Sequence, residues 1–144
     1  MGYEMGAHGV PSFFLDPGNR NSFLYDLRNE KFEFLLIARL LYDKGIQEYV
    51  DAARMVLKQR RGVTFNLLGP IEGCHHSSAI PYQILEKWID EGVIKYLGEV
   101  EDVRPYLVAT DCLVLPSYRE GLSRTLLEAG ATGRPVIASD VPGC

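Results

Sequence analysis

The sequence predicts an α/β fold, an open parallel sheet with helices on both faces. Three observations carry that expectation. Short apolar runs of four to seven residues recur along the chain, stretches at helical spacing separate them, and glycines or prolines mark the joins. Alternation of this kind means βαβ units, whose right-handed crossovers place helices on both sides of the sheet.

The regular pattern starts at about Glu30. Residues 1–30 carry Gly2, Gly6, Gly9, Pro11, Pro17 and Gly18 among aromatics such as Phe13 and Phe14, with neither a helical nor a strand period. They read as a lead-in arm or linker, or equally as an edge strand plus loop. Residues 31–144 form the domain proper. Phe32 to Ala38 is nearly all apolar, as a strand buried on both faces requires. Ile46, Tyr49, Val50, Ala53, Val56 and Leu57 then fall on one helical face, with Lys58, Arg60 and Arg61 in the expected last turn and Gly62 as the stop. Val63–Leu68 is the second strand. After a loop over Gly69–Ser78, a helix opens near Pro81 and closes at Gly92. Val93–Leu97 is the third strand, Asp102 to about Ala109 a short helix, and Cys112–Leu115 the fourth strand. A helix from about Gly121 to Thr132, stopped by Gly133, and a fifth strand over Pro135–Ser139 complete the pattern.

Composition removes several function classes. Nineteen acidic residues against 15 basic ones give a net charge of -4, and no Lys/Arg run exceeds two residues, so no nucleic-acid footprint is visible. The longest apolar run, Phe34–Ala38, is far short of the roughly 20 residues of a membrane span. The N-terminus shows no secretory signal pattern. Three scattered cysteines, Cys74, Cys112 and Cys144, make a disulfide framework unexpected and a reducing cytoplasm the default.

In open parallel sheets, ligands bind beyond the carboxyl ends of the strands. The first such end carries Arg39 and, before the next helix, Lys44. Two cations on one strand-to-helix loop suit a diphosphate, with Arg donating two parallel hydrogen bonds and Lys acting as a point charge. A solvated surface pair is the alternative. Gly69 at the second strand end lets a ligand approach the backbone, or simply makes a turn. Cys74-His75-His76 are adjacent, so their side chains diverge, and no second Cys/His cluster accompanies them. An exposed loop fits them better than structural zinc.

The stretch after the fourth strand, Pro116 to Ala129, is the most informative. Leu122, Leu126 and Ala129 form an apolar stripe along the expected helix. Glu120 stands at its start and Glu128 eight residues on. Eight helical residues advance about 12 Å and rotate about 80° past two turns, so both carboxylates share one broad side. The free N–H groups near Gly121–Ser123 make an anion site. Carboxylates beside a phosphate site would serve sugar hydroxyls. A favourable charge at a helix N-terminus for Glu120, and a solvated helical Glu for Glu128, are the plain alternatives.

Together these residues resemble the donor-binding, C-terminal half of the GT-B-fold, retaining, nucleotide-sugar glycosyltransferases of the group 1 family. The similar text comprises Ala38-Arg39-Leu40 with Asp43-Lys44-Gly45, Leu68-Gly69, Tyr96-Leu97-Gly98, Ala109-Thr110-Asp111, and Leu115-Pro116-Ser117. It continues with Glu120-Gly121, Glu128 and Gly133 through Asp140. The resemblance implies a Rossmann-like domain. It implies that Arg39 and Lys44 contact the donor diphosphate and stabilise the charge on the departing nucleotide without a metal. Glu120 would bind the transferred sugar and Glu128 the ribose. The backbone of Gly121, Leu122 and Ser123 would cap the phosphates, Gly69 would line the site, and the turn from Gly98 to Val100 would border the base.

By the same resemblance the substrate is a UDP-, GDP- or ADP-sugar, and no cofactor is expected. The acceptor, a glycan or a lipid-linked glycan, would be bound by an N-terminal domain that this chain lacks. The family's bacterial members often build capsule, O-antigen or other surface glycans. Cytoplasmic localisation follows, with the full-length enzyme as a peripheral protein at the inner membrane face and a homodimer as a further expectation. Cys144 stands where the family often has Gly. Because the family's enzymes carry that acceptor domain and further helices after the turn at Gly143, the chain is expected to be a fragment that does not turn over sugar by itself. Two other readings stand beside this one: half of a GT-B sugar-nucleotide epimerase, and a non-catalytic module that dimerises through an exposed face.

Overall fold

The structure, a computed structural model, describes residues 31–73 and 76–144. The arm over residues 1–30, with its His8-Gly9-Val10-Pro11 segment, lies outside the described residues, as do Cys74 and His75. Five parallel strands form the sheet: β1 (Phe32–Ile37), β2 (Val63–Leu68), β3 (Lys95–Tyr96), β4 (Cys112–Leu115) and β5 (Val136–Ala138). Their order is β3-β2-β1-β4-β5. A 3₁₀ turn (Tyr42–Lys44) leads into α1 (Ile46–Gln59), and α2 (Tyr82–Asp90), α3 (Arg104–Ala109) and α4 (Arg124–Ala131) follow.

Alternation along each strand decides what each face packs against. Leu36 and Leu67 point to one face, where they meet Ile46, Tyr49, Val50 and Ala53 of α1 and Leu85 and Trp88 of α2. Leu35 and Leu68 point to the other, where they meet Leu107 of α3 and Ala129 of α4. Leu35, Leu36, Leu67 and Leu68 are all essentially inaccessible to water. Burial of each such side chain contributes about 1.5–3 kcal/mol, and this explains why β1 and β2 carry adjacent apolar residues near their carboxyl ends, one for each face. The Rossmann-like open sheet covered on both faces is therefore the observed architecture.

Several boundaries differ from the sequence expectation. α1 ends at Gln59, and Arg60 is already extended (φ -132°), so Arg60 and Arg61 lie beyond the last turn. β3 is two residues long. Val93 and Ile94 are buried in the α1–α2 core instead of pairing in the sheet. Asp102 precedes α3, its carboxylate accepting from the Arg104 backbone N–H at 3.0 Å. β5 spans three residues, all exposed.

The largest correction concerns α4. It begins at Arg124, not Gly121, because Ser123 caps it: the Ser123 hydroxyl accepts from the Leu126 N–H at 3.3 Å. Residues 120–123 are therefore loop, and the helical arithmetic that placed Glu120 and Glu128 on one side does not apply. Leu122, freed from the helix, is 74% exposed and takes no part in the apolar stripe.

Candidate functional site

The strand order sets the site. β1 lies between β2 and β4, so the chain runs outward from β1 in both directions, and the loops after β1 and β4 emerge side by side. This reversal point is where open α/β sheets hold ligands. Lys44 comes from the loop after β1 and Glu120 from the loop after β4. They are 76 residues apart in sequence, yet Lys44 Nζ donates to Glu120 Oε1 at 2.8 Å. Both side chains are largely enclosed, at 19% and 15% exposure.

Backbone contacts hold the two loops in register. The Tyr118 N–H donates to the Asp43 carbonyl at 3.0 Å. The Tyr118 hydroxyl donates to the Glu48 carboxylate on α1. A third segment backs the site from behind. At Gly143 (φ +89°), a Cβ would lie 2.1 Å from the Gly121 carbonyl oxygen and 2.5 Å from that of Glu120. Only glycine fits there.

The Glu120 carboxyl sits below its ordinary range. Burial pushes it up, but the hydrogen bond from Lys44 and the Lys44 charge outweigh burial and the repulsion from Asp43. Ser117 is fully buried. Its Oγ has no hydrogen-bond partner among the described residues. Asp43 is held in turn by Ser78, whose Oγ lies 3.3 Å from Asp43 Oδ1. The Cys144 thiol is pushed up by burial and by the Glu120 charge, against a smaller opposing effect from Lys44.

Arg39 is placed differently. Its guanidinium is half exposed and donates to Glu72 Oε1 at 3.3 Å. It lines an open cleft of about 220 Å³ together with Gly69, Glu99, Val100 and Thr125. Gly98 stands at the edge of this cleft, its carbonyl accepting from the Gly69 N–H at 2.8 Å. The cleft thus draws together Arg39, Gly69 and Val100 from three different strand ends and meets the start of α4 at Thr125.

Gly69 has a different reason from the one expected. A Cβ there would lie 1.9 Å from the Ala38 carbonyl oxygen, at φ +146°. Glycine is required by the close approach of the β1 and β2 ends, whatever the ligand.

The anion-binding N–H groups also shift. The Ser123 N–H donates to the Gly143 carbonyl at 3.2 Å, and the Leu126 N–H goes to the Ser123 hydroxyl. The N–H groups of Gly121, Leu122, Arg124 and Thr125 have no acceptor among the described residues. Glu128 lies farther along α4, with its carboxylate 4.0 Å from Arg124. No described contact joins it to Lys44 or Glu120. Sequence reasoning missed Glu72, Asp43, Ser117 and Thr125. Only the Ser123 cap carried a readable signal, a serine one residue ahead of a helical run. No group of three or more metal-ligating side chains occurs among the described residues. No helix among them is long and apolar enough to cross a membrane.

Comparison with known proteins shows the family and agrees with the fold. The family described as Glycosyl transferases group 1 matches residues 31–144. The chain is 34% identical over 110 residues to the N,N'-diacetylbacillosaminyl-diphospho-undecaprenol alpha-1,3-N-acetylgalactosaminyltransferase of Campylobacter jejuni. That match covers 76% of this chain and 27% of the relative. The pneumococcal O-GlcNAc transferase GtfA, solved with UDP and GlcNAc, is similar over 77% of this chain and 21% of its own, with a TM-score of 0.58 and 26% identity. The C-terminal domain of LpcC, a group 1 glycosyl transferase from Francisella tularensis, shares the fold with a TM-score of 0.61 at 23% identity, over 85% of this chain and 65% of that domain. The match spans 27% of the Campylobacter relative and 34% of the Staphylococcus aureus capsular glycosyltransferase CapM, about a quarter to a third of their lengths.

Proposed function

The chain belongs to the group 1 glycosyltransferases, and from that premise we propose that it is the donor-binding domain of a retaining hexosyltransferase of surface-glycan synthesis. The observation that carries the reading is the Lys44–Glu120 pair at the point where the sheet order reverses, beside unpaired N–H groups at the start of α4. In this reading the Lys44 ammonium, the Arg39 guanidinium of the neighbouring cleft and the backbone donors before α4 engage one nucleoside diphosphate between them.

In this reading Arg39 turns from Glu72 to the diphosphate. Lys44 has three N–H donors and serves both Glu120 and a phosphate oxygen. Their charge stabilises the departing nucleotide, which is the step where negative charge develops. No metal is needed for that role. Glu120 accepts hydrogen bonds from hydroxyls of the transferred sugar, and Glu128 serves the ribose once the nucleotide lies along α4. Gly121, Leu122, Arg124 and Thr125 cap the phosphates, and Gly98–Val100 borders the base. The acceptor is a glycan or lipid-linked glycan bound by a part of the enzyme outside these 144 residues, so the isolated chain does not transfer sugar.

The Campylobacter relative is by name an N-acetylgalactosaminyltransferase acting on an undecaprenol-linked sugar, and GtfA was solved with UDP. UDP is therefore the first donor nucleotide to test, followed by GDP and ADP. At ten times its dissociation constant, a ligand specific for the folded state raises stability by about 1.4 kcal/mol. A thermal shift of that size with one of the three at millimolar concentration is the expected result. No shift with any of them refutes the reading. Sugar transfer by the isolated chain would refute its dependence on the rest of the enzyme.

A further inference from the structure

We propose that Ser78 is a positioning residue for Lys44: its hydroxyl ties back the Asp43 carboxylate, so that the neighbouring ammonium is left to Glu120 and to the donor's diphosphate. The inference rests on the reading of the site given above and adds a residue from a third loop to it.

The loop after β2 runs alongside the loop after β1 and is joined to it through backbone. The Leu40 N–H donates to the Pro70 carbonyl at 3.0 Å, the Tyr42 N–H to the Ser78 carbonyl at 2.8 Å, and the Ile80 N–H to the Leu40 carbonyl at 3.0 Å. Leu41 and Ala79 form an antiparallel bridge within this seam. Leu40, Leu41 and Ile80 are buried, which anchors it in the core. Ser78 adds its side chain. The Asp43 N–H donates to Ser78 Oγ at 3.2 Å, and the Ser78 hydroxyl donates to Asp43 Oδ1 at 3.3 Å. One hydroxyl thus holds both the backbone and the carboxylate of the residue before Lys44. On its other side the Asp43 carbonyl accepts from the Tyr118 N–H. The 3₁₀ turn over Tyr42–Lys44 is therefore pinned between the β2 and β4 loops, and Lys44 leaves it toward Glu120.

The Asp43 carboxylate needs that restraint. It adjoins Lys44 in sequence, and its charge already opposes that of Glu120. Among the described residues it pairs with no cation, and the side-chain donor it meets is the Ser78 hydroxyl. Charge-assisted hydrogen bonds are stronger than neutral ones, so a carboxylate released from Ser78 is drawn to the nearest ammonium. It would then compete with Glu120 for Lys44 and set a second negative charge against the diphosphate. A neutral hydroxyl holds the carboxylate back without adding a charge of its own.

The test uses the 144-residue chain in wild-type, Ser78→Ala and Ser78→Thr forms, with Ser78→Val, the shape of threonine without its hydroxyl, as a second removal. A Lys44→Met and Glu120→Gln cycle, read by urea unfolding, gives the coupling of that pair in each form. Removal of the hydroxyl should cut the coupling by about half, and Ser78→Thr should keep it. An unchanged coupling in either removal variant that folds overturns the proposal, and that outcome is read without any ligand. Calorimetry with UDP then separates positioning from structure. Ser78→Ala should bind UDP about fivefold more weakly than wild type, and the loss should vanish in the Asp43→Asn background, where no charge competes for Lys44. An equal loss in both backgrounds would show a merely structural role and overturn the proposal. If wild type binds none of UDP, GDP and ADP, the nucleotide reading falls, while the urea cycle still decides whether Ser78 acts on Lys44.

Discussion

Removing the charge of Lys44 should destabilise the domain, and a double-mutant cycle with Glu120 should show that the loss comes from their pairing. At 2.8 Å and an effective dielectric constant of about 20, the two charges attract by about 6 kcal/mol. Desolvation of two largely enclosed ions offsets most of that, because each side chain keeps less than a fifth of its exposure. A net coupling of about 1–3 kcal/mol remains, above the roughly 0–1 kcal/mol of a surface pair. Lys44→Met, Glu120→Gln and the double variant supply the cycle, and urea unfolding the measurement. With a slope of about 1–3 kcal/mol per molar urea, Lys44→Met should lower the midpoint by about 1 M at pH 7. The pH dependence fixes the sign. Glu120 has a lower pKa folded than unfolded, so its contribution is complete above the unfolded value of about 4.3. It is lost as pH falls through the folded value. The coupling should therefore shrink toward zero on acidification below the folded pKa. A coupling under about 0.5 kcal/mol at pH 7, or one unchanged by acid, would refute the electrostatic account.

Three other outcomes follow from the geometry. Gly69→Ala should unfold at a urea midpoint lower by about 1 M or more, since its Cβ collides with the Ala38 carbonyl in a strained backbone region; a stability change under about 1 kcal/mol would mean that the β1–β2 ends relax freely. Ser123→Ala should cost about 1 kcal/mol through the lost α4 cap, measured by thermal unfolding, and no change would show that the Gly143 contact alone fixes the helix start. Arg39→Ala should weaken nucleoside diphosphate binding about tenfold at low salt, whereas Glu72→Ala should leave it equal or tighter by releasing the guanidinium; weakening by Glu72→Ala would place Glu72 in the ligand site instead.

Sequence reasoning recovered the parts whose signal is local and strong. β2 and β4 begin and end where expected, because short β-branched and apolar segments such as Val63–Leu68 and Cys112–Leu115 bounded by turns suit buried strands of a parallel sheet. It failed where a short signal competes with tertiary packing. Val93 and Ile94 look like strand but serve the core under α2, and Gly121-Leu122 looks helical but is held off the helix by the Ser123 cap and the Gly143 contact. Arg39, Lys44 and Glu120 were recognisable one by one as residues at strand ends. Their pairing was not: no spacing along the chain joins Lys44 to Glu120 or Arg39 to Glu72. Only the order β3-β2-β1-β4-β5 sets those loops side by side. Ser117 gave no signal because a buried hydroxyl and an exposed one read alike in a sequence.

The central claim, that the crevice between the β1 and β4 loops binds a nucleoside diphosphate, is tested most directly by titrating UDP into the isotope-labelled chain and following its backbone amides by NMR. The account predicts saturable shifts at Arg39, Lys44, Gly69, Val100, Gly121, Leu122 and Thr125. Shifts confined to the separate cavity around Glu72, His76 and Tyr82, or no saturable shift with UDP, GDP or ADP, would contradict it.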